Sequence, residues 1–292
     1  MQENLLKVLA GRRLATGGYC EYPDGNYRPD STAWAILALC ALGAKESVVA
    51  SARSRLRHDQ FADGRISISS EHPDAIWPTS VALLAWLGSP ADVDARFLAA
   101  RFLLSSSGTH GLKEADSPLG HDTSLRGWSW VEKTHSWIEP TALAVIALRA
   151  AGFDNHPRIH EAIRMLIDRQ LPSGGWNYGN TIVFGQELQP MADSTGLALQ
   201  SLAGLSHKED LANSLAYLET SAIGLRTPFS LGWGLLGLAA WGVRLPSTDR
   251  LIFQCLERQS HLGAYQTTNL CLLALALMSP SGLLNRLQEK TL

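Results

Sequence analysis

The chain has little net charge, few cysteines and no long uninterrupted apolar run, and each shortage excludes a class of protein. Lys and Arg (25) nearly balance Asp and Glu (27), for a formal charge of −2. That balance offers no electrostatic footprint for nucleic acid or for an anionic membrane surface. The longest apolar stretches, such as LGWGLLGLAAWGV, fall well short of the roughly 20 residues a membrane-spanning helix needs. The start MQENLLKVLAGRR lacks a basic segment followed by an apolar one, so no secretory signal is expected and the expected compartment is the cytoplasm. The four cysteines, Cys20, Cys40, Cys255 and Cys271, show no CxxC or zinc-knuckle spacing and read as reduced thiols. No Asp-Asp-x-x-Asp run is present to hold magnesium against a diphosphate, and there is no Gly-rich phosphate loop and no Ser nucleophile elbow. His156 and His160 stand four apart with no Cys or carboxylate nearby to complete a site. Neither a metal nor another cofactor is expected.

What the chain has in quantity is apolar helix-forming sequence and tryptophan: 46% hydrophobic residues and nine Trp in 292. Six segments are apolar nearly all round, starting at Pro29, Trp77, Glu139, Ala192, Phe229 and Gln266. Asp, Ser or Thr near each start suits an N-cap, and Pro suits the first turn. Each segment has an amphipathic partner before it, around residues 3–14, 47–58, 92–105, 156–171, 208–220 and 248–259. In the fourth, Ile163, Leu166 and Ile167 share a face opposite Glu161, Arg164, Asp168 and Arg169. Helix pairs recurring every ~35–60 residues, without strand-like alternation, indicate stacked αα-hairpins. The expectation is an all-α, α/α toroid of six helical hairpins, six inner and six outer helices, forming one domain over residues 1–292. The long loops 106–136 and 172–192 are expected to fold over one end, where function concentrates.

Between the fourth pair lies QLPSGGWNYG, residues 170–179, with weaker copies elsewhere: Gln60 before Gly64, Gln259 before Gly263 and Tyr265, and Arg13 before Gly17 and Tyr19. The run AIRMLIDRQLPSGGWNYG resembles the QW motif of squalene–hopene cyclases, oxidosqualene cyclases and their prenyltransferase-repeat relatives. The resemblance covers essentially the whole chain as six repeats, with one complete copy. It implies a structural turn in which Gln170 bonds the end of a neighbouring helix and Trp176 stacks on the Gln side chain. It also implies protonation-initiated cyclisation of a linear isoprenoid in an aromatic-lined central cavity. Many such cyclases place that cavity between two helical domains. With room for one here, a homodimer or a partner subunit is expected to close it.

In that family a protonated Asp at the cavity end of an inner helix starts the reaction, in motifs resembling D-x-D-D-T or D-C-T-A. PMADSTG places Asp193, Ser194 and Thr195 on the former, with Met191 at the first acidic position, and RPDSTAW places Asp30 and Thr32 on the latter. The residues themselves allow a second reading, in which Asp30, Glu139, Asp193 and Ser230 N-cap inner helices. Asp92-Val93-Asp94 opens an outer helix and reads as a helix-start charge pattern. Trp128, Trp130 and Trp137, with His135 among them, crowd the third inner-helix start, and Trp34, Trp77 and Trp233 lie near others. Indoles at a cavity mouth could stabilise carbocations or grip an apolar chain, or else fill gaps between helices. Three function classes remain open: an isoprenoid cyclase with Asp193 as acid, a non-catalytic toroid binding an apolar ligand or a protein, and a polysaccharide-active toroid using two of Asp30, Glu139 and Asp193.

Overall fold

The structure is a computed structural model and describes residues 1–112 and 117–288. Fourteen α-helices, two single-turn 3-10 helices and one two-stranded turn are present in the described residues. In chain order the helices are α1 (Gln2–Ala10), α2 (Pro29–Ala41), α3 (Glu46–His58), α4 (Pro78–Ala85), α5 (Val93–Ser105), α6 (Ile138–Ala150) and α7 (Pro157–Asp168). There follow α8 (Ala192–Leu202), α9 (Ala212–Ala222), α10 (Pro228–Ala240), α11 (Thr248–Glu257), α12 (Gln259–Leu262), α13 (Thr267–Met278) and α14 (Leu283–Gln288).

The apolar helices α2, α4, α6, α8, α10 and α13 each touch the next, and α13 returns to touch α2. That closes a ring. Helices α1, α3, α5, α7, α9 and α11 lie outside it, each against one or two members. Sequence explains the division. In α6 every residue from Pro140 to Arg149 is buried, whereas α7 buries only Ile159, Ala162, Ile163, Met165 and Leu166.

The QW-like turns join hairpin to hairpin. Gln170 Nε2 donates to Ser214 Oγ in α9 at 2.8 Å, and Gln60 Nε2 donates to the Ala95 carbonyl in α5 at 2.9 Å. The indole N–H of Trp176 donates to the Leu166 carbonyl at the end of its own outer helix. Gly174 holds φ +102°, and a Cβ there would stand 2.7 Å from the Asn213 backbone, so only glycine allows this approach. Threonine completes the device. The hydroxyls of Thr32, Thr79, Thr141 and Thr195 each accept the backbone N–H of an upstream loop residue, respectively Tyr19, Ile66, Trp128 and Trp176, all at 2.9 Å.

Neighbouring side chains satisfy the helix ends. Arg53 Nε donates to the Ala85 carbonyl ending α4, and Arg149 Nη1 donates to the Ser201 and Ala203 carbonyls ending α8. At this end α14 crosses the ring: the Leu283 N–H donates to Gln200 Oε1 and Arg286 Nη2 to the Ala41 carbonyl. At the other end the two long loops are stitched together. Gly120 N–H donates to the Ile182 carbonyl and Phe184 N–H to the Pro118 carbonyl, beside the hairpin of β1 (Ile182–Val183) and β2 (Gln186–Glu187). The chain's own loops and α14 thus lie over the two ends, where a partner subunit was expected.

Helices α8 and α10 approach most closely because Gly196 and Gly237 face each other. A Cβ on Gly196 would stand 2.2 Å from the Trp233 carbonyl oxygen. Gly196→Ala should therefore lower stability by more than about 2 kcal/mol, read as a lower urea midpoint at unchanged slope.

Candidate functional site

The starts of the inner helices gather at one end of the ring, and three of them carry a carboxylate at the second helical position. These are Asp30 in α2, Glu139 in α6 and Asp193 in α8. The expectation that these residues N-cap their helices is corrected. The cap positions belong to Arg28, Trp137 and Met191, none with a side-chain cap bond. A carboxylate in the first turn still interacts favourably with the helix dipole. Ser230, expected as a cap, is two residues inside α10.

The three carboxylates have different surroundings. Asp30 is buried and takes a two-pronged bond from Arg28, at 2.8 and 3.1 Å, and Arg28 reaches on to Glu21. Glu21 accepts from Gln266 Nε2 at 2.7 Å, so Asp30 belongs to the seam that closes the ring. Asp193 is half-buried. Its Oδ1 accepts the Ser194 N–H at 2.7 Å, and its Oδ2 accepts from Ser230 Oγ at 2.9 Å.

Glu139 has neither kind of partner. Among the described residues no hydrogen bond or ion pair reaches its carboxyl, which keeps some accessible surface yet is surrounded by protein on nearly all sides. Burial, with the Asp193 charge adding to it, pushes its pKa from 4.5 up to about 8. At neutral pH Glu139 therefore carries its proton. In sequence Glu139 lies in no cyclase-like motif, unlike Asp30 and Asp193. It shares their helix position, with Trp137 standing where Asp30 has Arg28.

The tryptophans divide into core, turn and rim. Trp34 and Trp233 are 2% and 1% exposed and meet edge-to-face at 5.6 Å. They come from α2 and α10, which have α13 between them in the ring, so this pair packs on its inner side, and the inner helices are buried nearly all round where an open cavity was expected. Trp128 is buried in a turn, its indole donating to the Leu103 carbonyl as Trp176 does to Leu166, with the Arg158 guanidinium 4.3 Å over the ring. It is the third copy of the QW-turn aromatic and acts as structure. Trp77 and Trp130 are half-buried and edge-to-face at 5.4 Å, and Trp137 is half-buried directly before α6. Trp137 and the exposed His135 line a cavity of about 410 Å³ between the two long loops. Rim aromatics and carboxylates therefore share one end of the ring.

The other sequence candidates have plain duties. Asp92 is buried in an ion pair with Arg57, and His156 caps α7 by accepting the Arg158 N–H. Among the described residues no group of three His, Cys, Asp or Glu side chains is arranged to hold a metal ion. No helix among them is long and apolar enough to cross a membrane.

The raised pKa has a stability consequence of definite sign. Between pH 4.5 and about 8 the folded chain holds a proton on Glu139 that the unfolded chain releases. That contribution is fully present below pH 4.5 and is lost as pH rises through about 8. Glu139→Gln, which stays neutral, should melt above the wild type at pH 8, by up to a few kcal/mol of stability. Thermal melts from pH 4 to 9 should show the gap closing toward the acid end.

No family model and no curated protein matches the sequence. Solved structures do match the fold. The GH76A α-1,6-mannanase from a Salegentibacter species aligns over 97% of this chain and 98% of its own, at 13% identity and TM-score 0.64. A variant of the type II terpene cyclase MstE from Scytonema, in complex with its substrate geranylgeranyl dihydroxybenzoate, aligns over 90% of this chain and 79% of its own, at 15% identity and TM-score 0.59. A protein from Actinoplanes aligns over 89% and 79%, at 18% identity and TM-score 0.57. At these identities the shared property is architecture, and the chain has the helical toroid fold of these structures.

Proposed function

We propose that the protein is a cyclase-like enzyme in which Glu139, and not Asp193, delivers the proton that starts cyclisation of a linear isoprenoid. The observation that carries this reading is the unpartnered Glu139 carboxyl, held neutral by burial at about pKa 8 beside Asp193. A general acid must hold its proton at working pH and present it to substrate without first breaking a strong bond. Asp30 fails that requirement because Arg28 holds both its oxygens. Asp193 accepts bonds from Ser194 and Ser230 and suits the opposite role, receiving the proton that ends the reaction.

The proposed step balances simply. The Glu139 proton passes to the substrate, a carbon–carbon double bond of the chain supplies the electron pair that closes the ring, and a proton leaves at the end. An acid of this strength protonates an epoxide oxygen far more readily than an unactivated alkene, so an epoxide-bearing isoprenoid is the favoured substrate. Half-buried Trp77, Trp130 and Trp137 offer π faces at the same rim for positive charge or an apolar chain. Inner helices buried nearly all round move the reading from a central cavity to this rim.

A second reading has its own observation. One carboxyl that holds a proton beside another that accepts hydrogen bonds is the equipment of a glycosidase. The end-to-end likeness to a mannanase fits this as well as the first reading.

The test is product formation from linear and epoxidised isoprenoids, with aryl glycosides and α-1,6-mannan as parallel substrates. Glu139→Gln should be folded and lose at least about a hundredfold in rate. Asp193→Asn should be folded and strongly impaired. Activity in wild type should fall above about pH 8, as Glu139 gives up its proton. Turnover of glycosides alone would transfer the two roles to glycoside cleavage. An active Glu139→Gln would remove this carboxyl from the chemistry. No turnover of any substrate would leave a toroid that binds an apolar ligand.

A further inference from the structure

The cavity between the two long loops contains a charged group that the carboxylate rim does not use. Arg169, the residue after α7, is 7% exposed, and its guanidinium faces this cavity. Its Nη1 donates to the Gly179 carbonyl at 2.6 Å, while its Nε has no partner. His121 across the cavity is also 7% exposed, and its Nδ1 has no partner. Behind the cavity wall, in the loop 172–192, Asn177 Nδ2 and Thr181 Oγ1 are also unpartnered. A buried donor left unpaired is destabilising by about 1–3 kcal/mol, so the unpaired Arg169 and His121 nitrogens at the cavity wall mark a place for a polar guest.

The charge balance says which guest. Burial lowers the Arg169 pKa to about 10 even though the Asp168 and Asp122 carboxylates act to raise it. Burial and the Arg169 charge together lower the His121 pKa to about 4. The guanidinium Nε is unpaired, so a carboxylate oxygen brought to it gains a charge-assisted hydrogen bond. Asp168 and Asp122 offset part of the guanidinium charge, which disfavours a dianion more than a single negative charge. Leu112, Pro118, Leu119 and Trp137 supply apolar wall.

We propose that this cavity is a carboxylate-binding site, in which Arg169, His121 and Asn180 hold the carboxylate of a small monoanionic acid and Trp137 with Leu119 covers its apolar body. A planar guanidinium matches a carboxylate better than any other side chain does. Gly179 keeps the seat open: a Cβ there would stand 3.1 Å from Arg169 Nη1 and 3.6 Å from the Trp137 ring. The proposal stands on Arg169 and its neighbours and not on Glu139, so the two readings can fail separately.

Benzoate and inorganic phosphate serve as probes, titrated at pH 7.5 into the full chain and followed by nuclear magnetic resonance. Benzoate should bind saturably and move the His121 ring, Asn180 side-chain and Trp137 indole signals, with phosphate weaker. Arg169→Met should weaken benzoate at least about tenfold, the loss of one charge-assisted pair. Glu139→Gln should bind benzoate as the wild type does. Because Arg169 also holds the Gly179 carbonyl, Arg169→Lys, which keeps the charge and loses the fork, replaces Arg169→Met if that variant does not fold. Weakened binding by Arg169→Lys then supports the site. Should benzoate leave those signals unmoved up to roughly 10 mM, or bind a folded Arg169 variant unchanged, the proposal is overturned. Phosphate binding more tightly than benzoate would overturn its monoanion form.

Discussion

Everything in this molecule depends on the contact between α13 and α2. An open row of apolar helices would end in two exposed greasy faces, one at each terminus, and closing the row buries both. The seam is made by polar groups at the helix starts. Thr267 donates its hydroxyl to the Cys20 carbonyl at 2.6 Å and its N–H to the Glu21 carbonyl at 2.7 Å. Arg12 spans to the Tyr265 carbonyl, and the chain Gln266–Glu21–Arg28–Asp30 links the last inner helix to the first. These groups would be unsatisfied in an open arc, which makes closure specific as well as favourable.

Closure also gives the ring two electrically different ends. With every inner helix starting at the same end, partial positive charge collects there and favours carboxylates, while the other end favours cations. The side chains follow: Asp30, Glu139 and Asp193 at the starts, and Arg53, Arg149 and Arg286 on the terminal carbonyls. A shared helix position nevertheless yields three chemistries. Arg28 neutralises Asp30, two serines satisfy Asp193, and Glu139 is left to burial. The functional reading rests on that difference in environment, since the three groups are nearly identical as sequence.

Much of the architecture could be read from the chain because it repeats. All-round apolar segments starting near Pro29 and Glu139 can only be buried helices, and one-sided partners such as Pro157–Asp168 can only cover them. The QW-like turn at residues 170–179 was legible as a connector, and Gln170 does reach the next outer helix. The site was harder. Matching short motifs selected Asp193 and Asp30, while Glu139, with no motif, is the carboxyl that no hydrogen bond reaches and that burial pushes upward. Trp128 looked like part of an aromatic cluster in the sequence WSW, yet the fold turns it inward to the Leu103 carbonyl. The threonine tethers went unnoticed, because Thr32, Thr79, Thr141 and Thr195 bond to residues 13 or 19 positions earlier.

Periodic hydrophobicity acts locally, over three or four residues, so the chain alone dictated the helices, their inner or outer character and the toroid they build. A pKa, an indole pair or an unpaired guanidinium is set by what stands within a few ångströms in space. Trp34 and Trp233 are separated by most of the chain, and only ring closure brings them to 5.6 Å. Glu139 holds its proton at neutral pH because the surrounding protein excludes water and, second to that, α8 places the Asp193 charge near it. Arg169 becomes a buried cation because two loops, distant in sequence, fold over the end of the same ring.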